Sequence, residues 1–215
     1  YEFDRMAKRI NRHLNQRSEM LSGISHDLRT PLTRLKLQLA MINNKEISNN
    51  MSKDIDEMEN MLNDYLQFAK SQAKESTEKL NLKELFQLIE NKINNSMIKF
   101  KIKEEILIYG RKNALERCFS NIINNGLIYG KEVEVNVQKS SNRVVITIED
   151  NGPGIPAEHY KNVFKPFFRL DQSRSLNKSG VGLGLAIVED IINSHGGNIQ
   201  LSTSSMGGLQ VKVTL

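Results

Sequence analysis

The chain has 215 residues, 39% hydrophobic and 26% charged, with a formal net charge of +5. That length exceeds what one typical domain needs and points to two units of unequal size, with enough apolar residues for a core. Lys and Arg are spread without dense runs or interleaved aromatics, so the composition gives no support to direct nucleic-acid binding, and the single Cys118 excludes an internal disulfide and fits a reducing compartment.

No apolar run approaches the roughly 18 residues that span a bilayer, and no signal peptide is visible. The chain opens at Tyr1 directly in a helical pattern and reads as a piece of something longer. From Leu21 to Ile42, apolar residues (Leu21, Ile24, Leu28, Pro31, Leu35, Leu39, Ile42) recur at steps of three and four, which predicts one long helix. A polar turn around Asn43 to Glu46 follows. Met51, Ile55, Met58, Leu62, Tyr65 and Ala69 then step 4-3-4-3-4, the seam of a bundle or coiled coil. Two helices with one stripe each bury little by themselves, so the hairpin is expected to pair with a second copy as a dimeric four-helix bundle.

After a polar stretch the period changes repeatedly. A helix is predicted near Leu82 to Ile93, strands near Met97 to Ile102 and Ile106 to Tyr109, and a helix near Asn113 to Ile128. Alternating Val133, Val135, Val137 and Val144, Ile146, Ile148 read as strands, and a helix near Leu185 to Ser194 stops at Gly196-Gly197 before two final strands. The expected fold class is α+β: a helical hairpin, then an α/β sandwich with helices on one sheet face. Boundaries fall at 18–74 for the hairpin, 75–79 for a linker and 80–215 for the sandwich, with 1–17 as a leading helix.

Four motifs carry chemistry. In Ser25-His26-Asp27-Leu28-Arg29-Thr30-Pro31-Leu32, His26 lies about 200° round the helix from Ile24 and faces away from the apolar stripe. Thr30 shares its face one turn on, and Pro31 breaks a local rule beside an imidazole and a carboxylate, as functional sites do. Asn121 and Asn125, one turn apart, can offer amide oxygens to Mg²⁺, which takes few protein ligands and completes its shell with water and phosphate. Asn124 falls on the opposite, solvent side. Asp150-Asn151-Gly152-Pro153-Gly154 follows a strand; a carboxylate there can accept from an exocyclic amine, although the motif alone fits a plain turn equally well. Gly180-Val181-Gly182-Leu183-Gly184 opens a helix whose backbone N–H groups suit phosphate. Between the glycine clusters, Arg169, Arg174 and Lys178 with few apolar anchors after Phe168 are expected of a mobile phosphate lid.

Taken in order, the His-Asp-x-x-Thr-Pro segment, the Asn-rich helix, Asp-x-Gly-x-Gly, Phe164-x-x-Phe167 and Gly-x-Gly-x-Gly resemble the H, N, G1, F and G2 boxes of sensor histidine kinases. The resemblance covers nearly the whole chain and, through Ser25 to Arg34 and Tyr129-Gly130, extends to the EnvZ-like osmosensor subgroup. It implies a GHKL-type ATP-binding domain for 80–215, a dimerisation and histidine phosphotransfer domain for 18–74, and the end of a HAMP-like signalling helix in 1–17. By the same resemblance His26 is the phosphoacceptor, Asp27 orients and activates its imidazole, and Thr30 aligns water for dephosphorylating the regulator. Asn125 would hold Mg²⁺ with Asn121 beside it near the phosphates, and Asp150 would bind the adenine amine of ATP. Tyr129 would pack on the base, and Gly152, Gly154, Gly180, Gly182, Leu183 and Gly184 would shape the pocket and lid ends. Ile128 departs from the family, which often has Lys or Arg there, so that phosphate contact is absent or comes from Lys131, Arg169 or Arg174. The implied partners are a second copy, bound through the hairpin, and a response-regulator receiver domain. The implied location is the cytoplasmic side of the inner membrane, reached through segments preceding this chain. A GHKL-type ATPase and a dimerisation scaffold with a degenerate pocket are the alternatives.

Overall fold

A computed structural model gives the fold and describes residues 5, 6, 9, 27–41, 44–70, 75–140, 142–170 and 182–215. The chain divides into two units, 1–74 with 179–181, and 75–178 with 182–215.

In the first unit, helix α1 (27–39) and helix α2 (Lys45–Lys70) form the hairpin. Asn44 Oδ1 accepts from Ile47 N at 3.2 Å, so α2 starts inside the segment expected as a turn. Ser48 Oγ donates to the Leu39 carbonyl at 2.9 Å and ties the two helices at that end. Helix continues on both sides of Pro31. Leu32 and Leu39 are buried against Ile55, with Leu62 packed on them. These four alternate with Leu28, Leu35, Met51 and Met58, which stay 44 to 52% exposed. Leu32, passed over by the predicted stripe, is therefore an inner-seam residue, while Leu28 and Leu35 lie on an uncovered one. Lys36 Nζ reaches Asp56 Oδ1 and Glu59 Oε2, both at 2.7 Å, and these carboxylates hold the ammonium above its ordinary value.

The second unit is a five-stranded sheet in the order β2-β4-β5-β7-β6, made of β2 (Ile98–Ile102), β4 (Val133–Ser140), β5 (Arg143–Asp150), β6 (Asn198–Thr203) and β7 (Leu209–Thr214). The β2–β4 pair is parallel and the others antiparallel. Helices α3 (Leu82–Ile93), α4 (Lys112–Tyr129) and α5 (Gly184–Ser194) supply the other half of the core. Leu82, Leu85, Phe86 and Ile89 give α3 one apolar face, and Asn81 caps it by accepting from Lys83 N at 3.0 Å. The Phe86 and Phe119 rings, centroids 4.9 Å apart, are both fully buried, each contributing about 1.5–3 kcal/mol of transfer free energy. Cys118 lies on the same buried face of α4, and burial pushes its thiol up.

The segment expected to be a linker is built into this unit. Glu78–Asn81 forms β1, antiparallel to β3 (Leu107–Gly110), with Lys79 opposite Tyr109. Glu75 replaces the N-cap that Arg111 does not provide: its Oε1 accepts from Asn113 N at 2.5 Å and its Oε2 from Ala114 N at 3.1 Å. A carboxylate there also complements the positive end of α4. One acidic side chain and a main-chain ladder, neither visible as an apolar pattern, hold these residues.

Candidate functional site

The site is assembled at the end of β5. Asp150, buried, is the last residue of that strand, and its Oδ1 accepts from Gly152 N at 2.8 Å and from Leu209 N at 3.2 Å. Among the described residues both hydrogen bonds to the carboxylate end on Oδ1, so Oδ2 retains its acceptor capacity. Three glycines fit round it. A Cβ on Gly208 would stand 2.1 Å from Asp150 Oδ1, one on Gly152 2.9 Å from the same atom, and one on Gly126 3.4 Å from Asp150 Cβ. At Gly208 and Gly152 no other residue type allows that approach.

Asn151, next in the chain, closes the upper edge. Its Oδ1 accepts from Lys131 N at 2.7 Å and Glu132 N at 2.9 Å, pinning the turn between α4 and β4 to the glycine turn. Gly130 permits this, since a Cβ there would meet Asn151 Oδ1 and Gly152 N, each at 3.0 Å. The half-exposed Tyr129 immediately precedes Gly130, and its carbonyl lies against Gly152. On the lower edge Glu149 Oε1 accepts from Ser205 N at 2.9 Å and from Ser204 Oγ at 3.1 Å, holding the β6–β7 turn that carries Gly208.

Asn125 belongs to the same region: a Cβ on Gly184, the first residue of α5, would lie 3.6 Å from Asn125 Nδ2 and 3.8 Å from its Oδ1. The start of an 11-residue helix is thus set beside a half-buried amide on α4. Asn121 is also half-buried one turn earlier, and Asn124 is exposed, as its helical phase requires. Gly182 has φ +78° and its carbonyl accepts from Phe167 N at 2.9 Å; Phe167 itself has φ +66°, a conformation costing about 1–3 kcal/mol. The Phe box therefore fastens Gly182, while Leu183 is buried beneath it. Gly154, with φ +71°, lies against Gly208. Ile128 is exposed, and Lys131 follows the turn. Arg169 is exposed and engaged in an interaction of its own.

Asp27 and Thr30 both lie exposed on α1. His26, Arg174 and Gly180 lie outside the described residues. Among the described residues no three His, Cys, Asp or Glu side chains gather as a metal site, and no helix is long and apolar enough to cross a membrane.

The His Kinase A (phospho-acceptor) domain family matches residues 16–74, and the Histidine kinase-, DNA gyrase B-, and HSP90-like ATPase family matches 110–215. The histidine kinase domain of the E. coli osmosensor EnvZ is 30% identical, covers 66% of this chain and 91% of its own, and superposes with a TM-score of 0.52. The chain belongs to the sensor histidine kinases. The sensor histidine kinase GtrS of Pseudomonas aeruginosa is 34% identical over 99% of this chain and 45% of its own length. CpxA of Escherichia coli is 32% identical over 99% of this chain and 50% of its own. The chain therefore spans about half the length of the curated relatives it matches.

Asp150, Gly152, Gly154, Tyr129, Asn125, Gly182 and Gly184, which the sequence motifs single out, lie in one unit. The motifs contain Asn151 without giving it a role and miss Glu149, Gly208 and Leu209; the contacts of these residues join segments 19 to 59 residues apart. The Gly207-Gly208 pair between two alternating strands is the one local signal that marks part of this set.

Proposed function

We propose that the chain binds ATP with Mg²⁺, phosphorylates His26, and passes the phosphoryl group to an aspartate of a response-regulator receiver domain. The observation that carries this reading is the glycine-walled Asp150 carboxylate, with Asn125 set beside the start of α5 in the same unit. Gly208 and Gly152 let the backbone close on Asp150 Oδ1, and Asp150 Oδ2 can accept from the exocyclic amine of a purine. Asn125, with Asn121 beside it, supplies amide oxygen, a donor set suited to a Mg²⁺ that takes its remaining ligands from phosphate and water. Bound ATP with Mg²⁺ supplies the transferable phosphoryl group and neutralises its charge.

The chain's own residues then divide the work. Tyr129 packs on the base, and the backbone N–H groups of Gly182, Leu183 and Gly184, with the lid cations Arg169 and Arg174, bind phosphate oxygens. His26 attacks the γ-phosphorus through a neutral ring nitrogen, available near pH 7 because an unperturbed imidazole titrates at about 6.5; the N–P bond forms as the bond from that phosphorus to the bridging oxygen breaks, and ADP leaves. Asp27 accepts a hydrogen bond from the other ring nitrogen and favours the cationic ring left after attack. The ring proton is lost afterwards, and the phosphoramidate passes to the receiver carboxylate. Thr30 aligns a water for the reverse task, which makes the protein a regulator phosphatase as well. The exposed seam of Leu28, Leu35, Met51 and Met58 supports a homodimer through the hairpin. The relatives, named as sensors, support placing the chain on the cytoplasmic side of a membrane-bound receptor.

With γ-labelled ATP the chain should acquire an acid-labile, base-stable phosphate, and Asn125→Ala and Asp150→Ala should lose it. Steady release of phosphate from a chain that never becomes labelled would overturn the kinase reading in favour of a GHKL-type ATPase.

A further inference from the structure

We propose that β6 is an open sheet edge that receives an extended peptide strand from a partner protein, with apolar and acidic residues alternating along that strand. The two edges of the five-stranded sheet are built differently. At β2, Lys99 and Lys101 project from the outermost strand and pair with Glu132 at 3.3 Å and Glu134 at 2.7 Å on the neighbouring segment. Edge lysines of this kind are the usual protection against strand addition. The opposite edge, Asn198-Ile199-Gln200-Leu201-Ser202-Thr203, has no charged residue and no proline. Its inner side pairs with β7 over all six residues, and among the described residues no strand lies on its outer side.

A groove of about 490 Å³ at this edge is lined by Ile199 to Ser202 together with Tyr160, Phe164 and Glu189 of α5. Ile199 and Leu201 pair with the buried Val213 and Val211, so they belong to the helix-covered face and are half-buried there. Gln200 lies opposite Lys212 and belongs to the other face. An added strand meets the same alternation: its apolar residues fall towards Ile199, Leu201 and Phe164, and the intervening ones towards Lys212. Lys212 and Lys161 both line the groove, and neither pairs with a carboxylate among the described residues. Glu189 is the one carboxylate lining the groove, against two lysines. The uncompensated cations select acidic residues in the partner. They also disfavour a second copy of β6, which would bring two more lysines against these two.

The test uses the whole 215-residue chain. Fluorescein-labelled eight-residue peptides alternating Val with Glu, or Val with Lys, are titrated by anisotropy, with hydrogen–deuterium exchange of 198–203 measured on the same samples. The Val–Glu peptide should bind at least roughly tenfold more tightly than the Val–Lys peptide and slow exchange along β6. Lys212→Glu should narrow or reverse that preference, and Leu201→Glu should abolish binding while ATP binding persists, which separates groove loss from unfolding. Equal binding of both peptides, binding without protection of 198–203, or protection that grows with protein concentration in the absence of peptide would overturn the proposal. The last result would assign the edge to a second copy. ATP binding that fails in the unsubstituted chain would count against the nucleotide site alone, since β6 is read out separately.

Discussion

Replacing Asn151 by alanine removes one acceptor atom and two hydrogen bonds, at 2.7 Å from Lys131 N and 2.9 Å from Glu132 N. Each bond is worth about 0.5–1.5 kcal/mol net, and because Lys131 is exposed and Glu132 only half-buried, water recovers part of that. The combined loss is about 1–2 kcal/mol. It falls on the turn that follows Tyr129, whose backbone already touches Gly152, so the freed turn loosens the wall of the Asp150 pocket. Nucleotide affinity should fall about 5- to 30-fold, the equivalent of that free energy. Asn151→Asp keeps an oxygen acceptor in the same place and should lose less. Calorimetric titration with ATP measures both variants, and thermal melting separates pocket loosening from global unfolding. An alanine variant within twofold of the unsubstituted chain, or an aspartate variant as weak as alanine, would refute the reasoning.

Gly208→Ala places a Cβ 2.1 Å from Asp150 Oδ1 and 2.5 Å from the Asp150 carbonyl oxygen and Gly152 N, two of them backbone atoms. It should cost about 1–3 kcal/mol in urea unfolding and abolish ATP binding. His195 accepts from Arg111 N through Nε2 at 3.0 Å and contacts the Ile191 carbonyl through Nδ1 at 2.7 Å, so its neutral form is the one that fits, and burial lowers its basicity. The unfolded ring binds a proton more readily than the folded one, so the stability due to this group is present above the ordinary imidazole range near pH 6.5 and is lost as pH falls below it. His195→Gln should flatten that part of the profile of unfolding midpoint against pH. Leu35→Glu with Met58→Glu puts charge on the uncovered seam and should convert a dimer to a monomer in analytical ultracentrifugation, leaving the Leu32–Leu39–Ile55 packing intact.

Elements with a strong local period were legible before the fold was known. Leu82, Leu85, Phe86 and Ile89 mark the apolar face of α3, and the alternating valines and isoleucines place β4 and β5 in their correct order. Strand β1 was not legible, because Glu78-Lys79-Leu80-Asn81 holds one apolar residue and forms through pairing with β3, whose partners lie 26 to 32 residues away. The same reason hides the pocket floor. Asp150 announces itself beside glycines, but Leu209 N and Gly208 reach it from the far end of the sheet, and nothing near them in sequence requires that. The hairpin seam was half legible: its 4-3 spacing is plain, but which residues face inward depends on Leu32 rather than Pro31 turning towards Ile55. A proline in a periodic stretch counts as apolar without packing as one.

The most direct test of the account is to find where the phosphate goes. After brief incubation with γ-labelled ATP and digestion at neutral to alkaline pH, mass spectrometry should place a single phosphoramidate on the peptide containing His26, and His26→Ala should carry no label while still binding ATP. Label retained by the alanine variant, or mapped to a hydroxyl side chain, would contradict it.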